Sequence, residues 1–301
     1  MTRPLDSAHR DLRRRRVIKR LAWLVAIATF VFLAWGFVWE PGRLIQRDYT
    51  IALPHWPAQC DGLRADVVAD IHTGSPRNGV DKLDRVVAQL SNSDSDVVIL
   101  AGDYVILKVF LGKYVAPEVV AAHLKPLLAH KRVYAVLGNH DWWKNGTRVR
   151  RALESIGVTV LENQATEISL GRCRLWLVGV GDLWEGHPDI PRAFSAVNDD
   201  APAIAITHNP DIFPQMPARA SLVIAGHTHG GQVNLLPGQP SMRFGHYIAG
   251  PIFDHGRQLF VTPGIGTSIL PFRFRVPPEI SRLTLRSEAA ARERTTGVGR
   301  P

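Results

Sequence analysis

The middle of this chain carries almost no net charge. Its 301 residues sum to +9 at pH 7. Residues 1–20 account for +6 of that and residues 286–301 for +2, which leaves about +1 on the 265 residues between them. Basicity confined to two tails does not make a nucleic-acid-binding face, so no nucleic-acid partner is expected for the folded body. Cysteine is scarce as well. Cys60 and Cys173 are far apart and fit no Cys-x-x-Cys or Cys/His spacing. That excludes a thiolate zinc site and a small disulfide scaffold; two ordinary thiols are the favoured reading, and a disulfide between them stays open. No internal repeat occurs, which excludes a solenoid. With 46% hydrophobic residues the chain can fill a sizeable core.

One long apolar run is present. Leu21 to Trp39 holds 19 residues without a charge. As a helix it would extend roughly 28 Å, close to the hydrocarbon thickness of a bilayer. It has no polar stripe of the kind a helix in a soluble core shows. Trp23, Trp35 and Trp39 lie near its ends, where indole rings prefer the interface. The basic block directly before it predicts a cytoplasmic N-terminus, a single crossing of the inner membrane and a body on the outer side. Retention as a signal anchor, removal as a signal peptide and twin-arginine export all compete. Arg14-Arg15-Arg16-Val17-Ile18-Lys19 fits the twin-arginine pattern. The one small-x-small cleavage candidate, Ala34-Trp35-Gly36, lies inside the apolar run, which favours retention.

The expected organisation is a basic N-terminus over 1–20, a transmembrane segment over 21–39 and a connector over 40–62. A catalytic body over 63–286 and a disordered tail over 287–301 complete it. The connector holds one possible strand, Tyr49–Leu53. Strand-like runs follow at Ala65–Ala69, Asp96–Ala101, Arg132–Leu137, Leu175–Val180, Ala203–Thr207, Leu222–Ala225, Leu259–Thr262 and Ser281–Leu285. Helical patterns cover Val80–Leu90, Pro117–Ala129 and Arg148–Ile156, with Pro117 suited to a helix start and Gly157 to a stop.

Five of these strand-like runs end in residues that bind metals. They lead to Asp70-Ile71-His72, Gly102-Asp103, Gly138-Asn139-His140-Asp141, His208-Asn209-Pro210 and Gly226-His227-Thr228-His229. Layered α/β folds bind ligands at the carboxyl ends of their strands. Neighbouring strands lie about 4.8 Å apart, so five ends can surround one small site. Residues two apart in extended backbone point the same way, which pairs Asp70 with His72 and His227 with His229. Imidazole plus carboxylate without thiolate suits Mn, Fe, Zn or Co. Seven or eight such ligands exceed what one ion takes and suit two ions sharing a carboxylate. Taken singly, each piece is more often a turn or a satisfied core histidine; all five in order are hard to obtain by accident.

This order resembles the calcineurin-like metallophosphoesterase superfamily. The stretch Gly226-His227-Thr228-His229-Gly230-Gly231-Gln232 resembles its bacterial branch of membrane-anchored or exported members. So do Thr207–Asp211, Gly264–Ser268, Pro271-Phe272-Arg273 and Pro277–Ile280. The resemblance covers roughly residues 50–286. It implies a four-layer α/β/β/α sandwich and a metal-dependent phosphoesterase cleaving a phosphodiester or pyrophosphate bond. It also implies roles: Asp70, His72 and His229 on one metal, Asn139, His208 and His227 on a second, and Asp103 bridging both. His140 would face the substrate, with Asp141 orienting its imidazole. The anchor suits a lipid-linked or envelope phosphate as substrate. A non-catalytic metal-binding scaffold is the rival reading, against which the intact His140 and Asp141 argue. Trp142 and Trp143 either line the substrate groove or pack. Gln232 either fixes the ligand loop or touches substrate. Arg273 and Arg275 either contact phosphate or lipid head groups or are solvated.

Overall fold

The computed structural model of the chain describes residues 4–107, 109–236, 245–254 and 256–288. Helix α1, Pro4–Ala34, runs on through a π-helical turn at Trp35–Trp39 into the short α2, Glu40–Gly42. The helix thus takes in most of the basic block instead of beginning at Leu21, and it is the one described helix long and apolar enough to cross a membrane.

Two six-stranded sheets follow. The first has the order β1 (Ile45–Leu53), β12 (Glu279–Ser287), β2 (Leu63–Val68), β3 (Val97–Ala101), β4 (Val133–Val136), β5 (Thr159–Val160). The second has the order β10 (Gly250–Asp254), β11 (Arg257–Val261), β9 (Ala220–Ala225), β8 (Ala203–Ile206), β7 (Cys173–Gly179), β6 (Gln164–Leu170). The central strands β2 to β5 are parallel, as are β7, β8, β9 and β11.

Side-chain alternation sorts these strands between two cores. Val67 and Ile99 face the layer between the sheets, where Leu175, Ile204 and Leu222 of the second sheet meet them. Val68, Val98 and Leu100 face the other way, onto helices α3 (Val80–Ser91), α4 (Pro117–Leu124) and α5 (Asn139–Ser155). Strands buried on both faces read as unbroken apolar runs, which is why the sequence displays them plainly. Leu83, Val86, Val87 and Leu90 form the buried stripe of α3. Over the outer face of the second sheet lie α6 (Ile190–Phe194) and the 3-10 turn Pro210–Gln215. The result is the expected four-layer sandwich.

Four expectations change. The strand expected at Tyr49–Leu53 begins earlier, at Ile45, and this β1 pairs in parallel with β12 along nine residues. Its exposed Gln46, Arg47 and Asp48 are the polar residues with which an edge strand discourages further pairing, and they disguised it. The helix over 148–156 begins at Asn139, with one non-helical residue at Asn145. Ser287, assigned to the tail, closes β12, and the tail from 289 onward lies outside the described residues. Cys60 and Cys173 are joined in a disulfide, the less favoured of the two readings of the sequence. They stand 113 residues apart in sequence, so only the folded sandwich brings the turn before β2 against the start of β7.

Candidate metal centre and active site

The carboxyl ends of β2, β3, β8 and β9, with the loop from β4 into α5, converge on one buried cluster. Asp70, His72, Asp103, Asn139, His208, His227 and His229 are all buried there. Five of the seven have left-handed backbone: Asp70 (φ 51°), His72 (42°), Asp103 (61°), His227 (72°) and His229 (52°). Each such non-glycine residue costs of order 1 kcal/mol or more, and such strain gathers where side chains must be aimed at a site. Space is tight as well. A Cβ on Gly138 would lie 2.2 Å from Asp103 Oδ1, and one on Gly226 would lie 2.8 Å from Asp70 Oδ2. The glycines ahead of Asn139 and His227 are therefore demanded by close approach.

Two of the imidazoles are pinned through their far nitrogens. His72 Nδ1 lies 3.2 Å from the Val105 carbonyl and His208 Nδ1 lies 2.7 Å from that of Ala101. A carbonyl only accepts, so those nitrogens carry the proton and each Nε2 presents a lone pair when the ring is neutral. The same arrangement of a ring donating outward is typical of metal-ligating histidines. His72 Nε2 then meets Asp103 Oδ2 at 3.4 Å, Asp70 Oδ1 at 3.8 Å and His229 Nε2 at 3.2 Å. His208 Nε2 meets Asp103 Oδ2 at 3.2 Å and His227 Nδ1 at 3.3 Å, and His227 Nδ1 meets Asn139 Oδ1 at 3.0 Å. Burial pushes His72 and His227 down to about 3, so both are neutral near pH 7. Burial also pushes Asp70 up to about 7. The carboxylates of Asp103 and Asp70 hold His208 well above its ordinary range against the cost of burial, so the lone pairs of His72 and His227 face carboxylates and one protonated ring.

Whether these residues fit metal ions is decided by one atom. Asp70 Oδ1 is buried and accepts no hydrogen bond, although three ring nitrogens stand within 3.9 Å of it. A buried carboxylate oxygen without a donor is costly in its charged form unless a cation meets it. Overlapping triads, Asp70/His72/His229 and Asp70/Asp103/His208, hold their ligand atoms within 4.8 Å of one another. The donor set fits divalent metals of the nitrogen- and oxygen-binding kind.

His140 stands beside this cluster. Its backbone N–H donates to Asp103 Oδ1 at 2.9 Å. Its ring packs edge-on against His72 at 4.5 Å and near Trp143 at 5.0 Å. The Leu107 N–H donates to its Nδ1 at 3.3 Å, which leaves Nε2 as the proton-bearing atom of the neutral ring. Burial lowers its pKa, with Asp103 acting in the opposite sense.

Asp141 is not the orienting partner of that ring. Its carboxylate accepts four backbone N–H groups: Gly138 and Asp103 at 2.9 Å on one oxygen, Tyr104 at 2.9 Å and Val105 at 3.3 Å on the other. By accepting from Gly138 N–H it makes the acidic half of a capping box at the start of α5, and by accepting from Asp103 N–H it fixes the turn that carries Asp103. An acidic residue three positions after the glycine N-cap was the available signal.

A cleft of about 490 Å³ opens over the cluster, with Leu107, Trp143, Trp184 and Ile269 as its apolar walls. Trp143 is therefore a groove residue, while Trp142 packs into the helix-side core. Trp184, edge-on to His227 at 4.4 Å, carried no signal in the sequence. Gln232 is a brace. It accepts from Ser268 N at 2.8 Å and donates to the Ser268 and Leu270 carbonyls. Arg273 is buried, not solvated. Its guanidinium donates to the carbonyls of Pro263, Gly266 and Val276 and comes within 3.5 Å of His229 Nδ1. Arg275 is exposed.

Comparison with known proteins agrees with this geometry. The family model described as calcineurin-like phosphoesterase matches residues 63–231. Phosphodiesterase YaeI of Escherichia coli (strain K12) is 34% identical over 197 residues, 63% of this chain and 70% of that one. A transmembrane protein with metallophosphoesterase domain from Danio rerio is 28% identical over 285 residues, covering 87% of this chain and 62% of its own length. Metallophosphoesterase YkuE of Bacillus subtilis (strain 168) is 28% identical over 254 residues, with 82% and 87% covered.

Proposed function

The chain belongs to the calcineurin-like phosphoesterase family and is a phosphoester hydrolase; from that premise we propose a two-metal enzyme held at the membrane. The observation that carries the proposal is the donorless Asp70 Oδ1 among inward-facing imidazole nitrogens. Asp70, His72 and His229 would hold one divalent ion, Asn139, His208 and His227 the other, and Asp103 would reach both. When bound, such a pair supplies Lewis acidity that makes water nucleophilic near neutral pH and offsets charge on the phosphoryl oxygens. Mn, Fe, Zn or Co suits the ligands.

The chain's own groups do the rest. His140 has Nδ1 occupied by the Leu107 amide, so its Nε2–H is the group available to a phosphoryl or leaving oxygen. Proton donation there is worth about 10²–10⁴ in rate. Asp141 acts at one remove, by holding the turn of Asp103. The cleft walls Leu107, Trp143 and Trp184 exclude water from the reacting groups and receive the apolar part of a substrate.

We take α1 to be retained as a single-pass inner-membrane anchor with residues 1–20 inside and the catalytic domain on the outer side. The Cys60–Cys173 disulfide supports that side, since disulfides persist in oxidising compartments. A lipid-linked or envelope phosphodiester or pyrophosphate is the substrate this placement favours. The test is hydrolysis of bis-p-nitrophenyl phosphate by the metal-stripped protein, then with Mn²⁺ or Zn²⁺ restored. Turnover that needs metal and is lost in His140→Ala bears the proposal out. Bound metal with no turnover on any phosphoester would leave a scaffold instead.

A further inference from the structure

The anchor helix is not a loose tether. Arg273 N–H donates to the Gly36 carbonyl at 3.0 Å inside the π-helical turn. A Cβ on Gly36 would stand 2.0 Å from the Phe272 ring, so only glycine lets the two approach. Phe32 lies 5.4 Å from Phe272 and 4.9 Å from Phe274, ring to ring, and Phe37 lies 4.9 Å from Phe272. The loop that braces the catalytic cleft is therefore seated against the last turns of the helix.

Helix arithmetic gives that contact a depth. If the membrane crossing ended before Phe32, only Leu21–Val31 would remain, about 16 Å of helix against a core of about 30 Å. The crossing must run on to Trp39, which puts Phe32 about 10 Å inside the outer apolar boundary. Phe272 and Phe274 are at that level beside it. At the head-group level, Trp35 and Trp39 share a groove with Arg43 and Arg77, as interfacial aromatics and cations do.

Next to this contact Arg275 is exposed, a cation whose long stem can carry its charge to the head groups, and the other exposed residues are apolar. Ile269 is 62% exposed and Leu270 41%. Ile269 bridges to Val109, and its carbonyl accepts from Phe110 N at 2.9 Å. Phe110 and Leu111 in that second loop are 61% and 75% exposed. Four large apolar side chains thus form one lip, which reaches the helix through Phe272, two residues after Leu270, and the cleft through Ile269, one of its walls.

We infer that the lip of Phe110, Leu111, Ile269 and Leu270 is embedded in the outer leaflet, so that the cleft opens onto the bilayer and receives amphiphilic phosphoesters whose chains stay in the lipid. This rests on the hydrolase reading above and specifies its substrate class. The occupant is the membrane that already holds α1.

Two measurements on the full chain in phosphatidylcholine–phosphatidylglycerol vesicles test it. In the first, a nitroxide is placed at Phe110→Cys; Cys60 and Cys173 are paired, so the new thiol is the one labelled. The label should be reached more readily by molecular oxygen than by a water-soluble nickel chelate. Preferential access of the chelate overturns the inference. The second compares hexadecyl p-nitrophenyl phosphate in the vesicles with bis-p-nitrophenyl phosphate in solution. The double variant Phe110→Ser, Leu111→Ser should lose about tenfold or more on the long-chain ester, with turnover of the soluble one unchanged. Equal loss, or no loss, on both esters overturns it. If the unaltered protein cleaves neither ester, the hydrolase reading fails, and the nitroxide depth still decides where the lip lies.

Discussion

Replacing Asp141 by asparagine keeps the shape of the side chain and exchanges one acceptor oxygen for an NH₂ group. In the native site that oxygen faces two backbone N–H groups, either those of Gly138 and Asp103 or those of Tyr104 and Val105. Whichever way the amide turns, two buried donors lose their acceptor and meet a third donor. An unsatisfied buried donor costs about 1–3 kcal/mol, so Asp141→Asn should destabilise the fold by roughly 2–6 kcal/mol. The released turn carries Asp103, so metal retention should fall with stability. The assay pairs urea unfolding in detergent with metal content by mass spectrometry, beside His140→Ala as the reference. If Asp141 instead served the His140 ring, the asparagine variant would keep wild-type stability and metal and lose only turnover. That result would refute the argument that the carboxylate is a backbone anchor.

His140→Ala should lower kcat by about 10²–10⁴ with both metals retained, whereas Asp103→Ala should lose metal as well, as metal analysis beside kinetics will read. Lys82 is buried, with Nζ donating to the Pro41 carbonyl at 2.6 Å, and burial followed by Arg273 pushes it down to about 6. The unfolded chain holds that proton up to about 10.5, so between the two values it binds more protons than the folded one. Stability should therefore rise with pH across that window, by at most about 1.4 kcal/mol per unit for one group, and Lys82→Met should flatten the rise in urea titrations. Reduction of the disulfide, or Cys60→Ser, should cost roughly 5 kcal/mol or less by loop entropy while leaving the metal cluster in place, read as a fall in Tm with turnover preserved at low temperature.

The cluster of candidate ligands was legible because each piece is local. Asp70 with His72, or His227 with His229, needs only two residues of chain and a preceding apolar run. Strands buried on both faces announce their ends, and glycines mark where the backbone crowds. What stayed hidden depends on residues brought together over long distances. Asp141 reaches Asp103 across 38 positions, and Arg273 reaches His229 across 44. Trp184 joins the cleft from a loop with no motif. Residues 45–48 of the first sheet's edge strand were taken for connector because their partner, β12, lies at the far end of the sequence. The aspartate three after Gly138 was visible, but the histidine beside it supplied a more familiar partner.

The disulfide and the metal cluster lie at opposite ends of the same sandwich. Cys60 sits three residues before β2 begins, and Asp70 two residues after it ends. Cys173 opens β7, and the strands parallel to it, β8 and β9, finish two residues before His208 and His227. The first sheet supplies Asp70, His72, Asp103 and Asn139; the second supplies His208, His227 and His229. Each sheet is thus riveted to the other twice, once by sulfur and once by whatever ions the ligands hold. Either rivet alone leaves a hinge at the far end, around which the sheets can open but not part. Chelation and reduction together remove both, so their combined effect on unfolding should exceed the sum of the two separate effects. The domain is in this sense an envelope sealed at both edges, whose loss of integrity requires two different chemical insults at once.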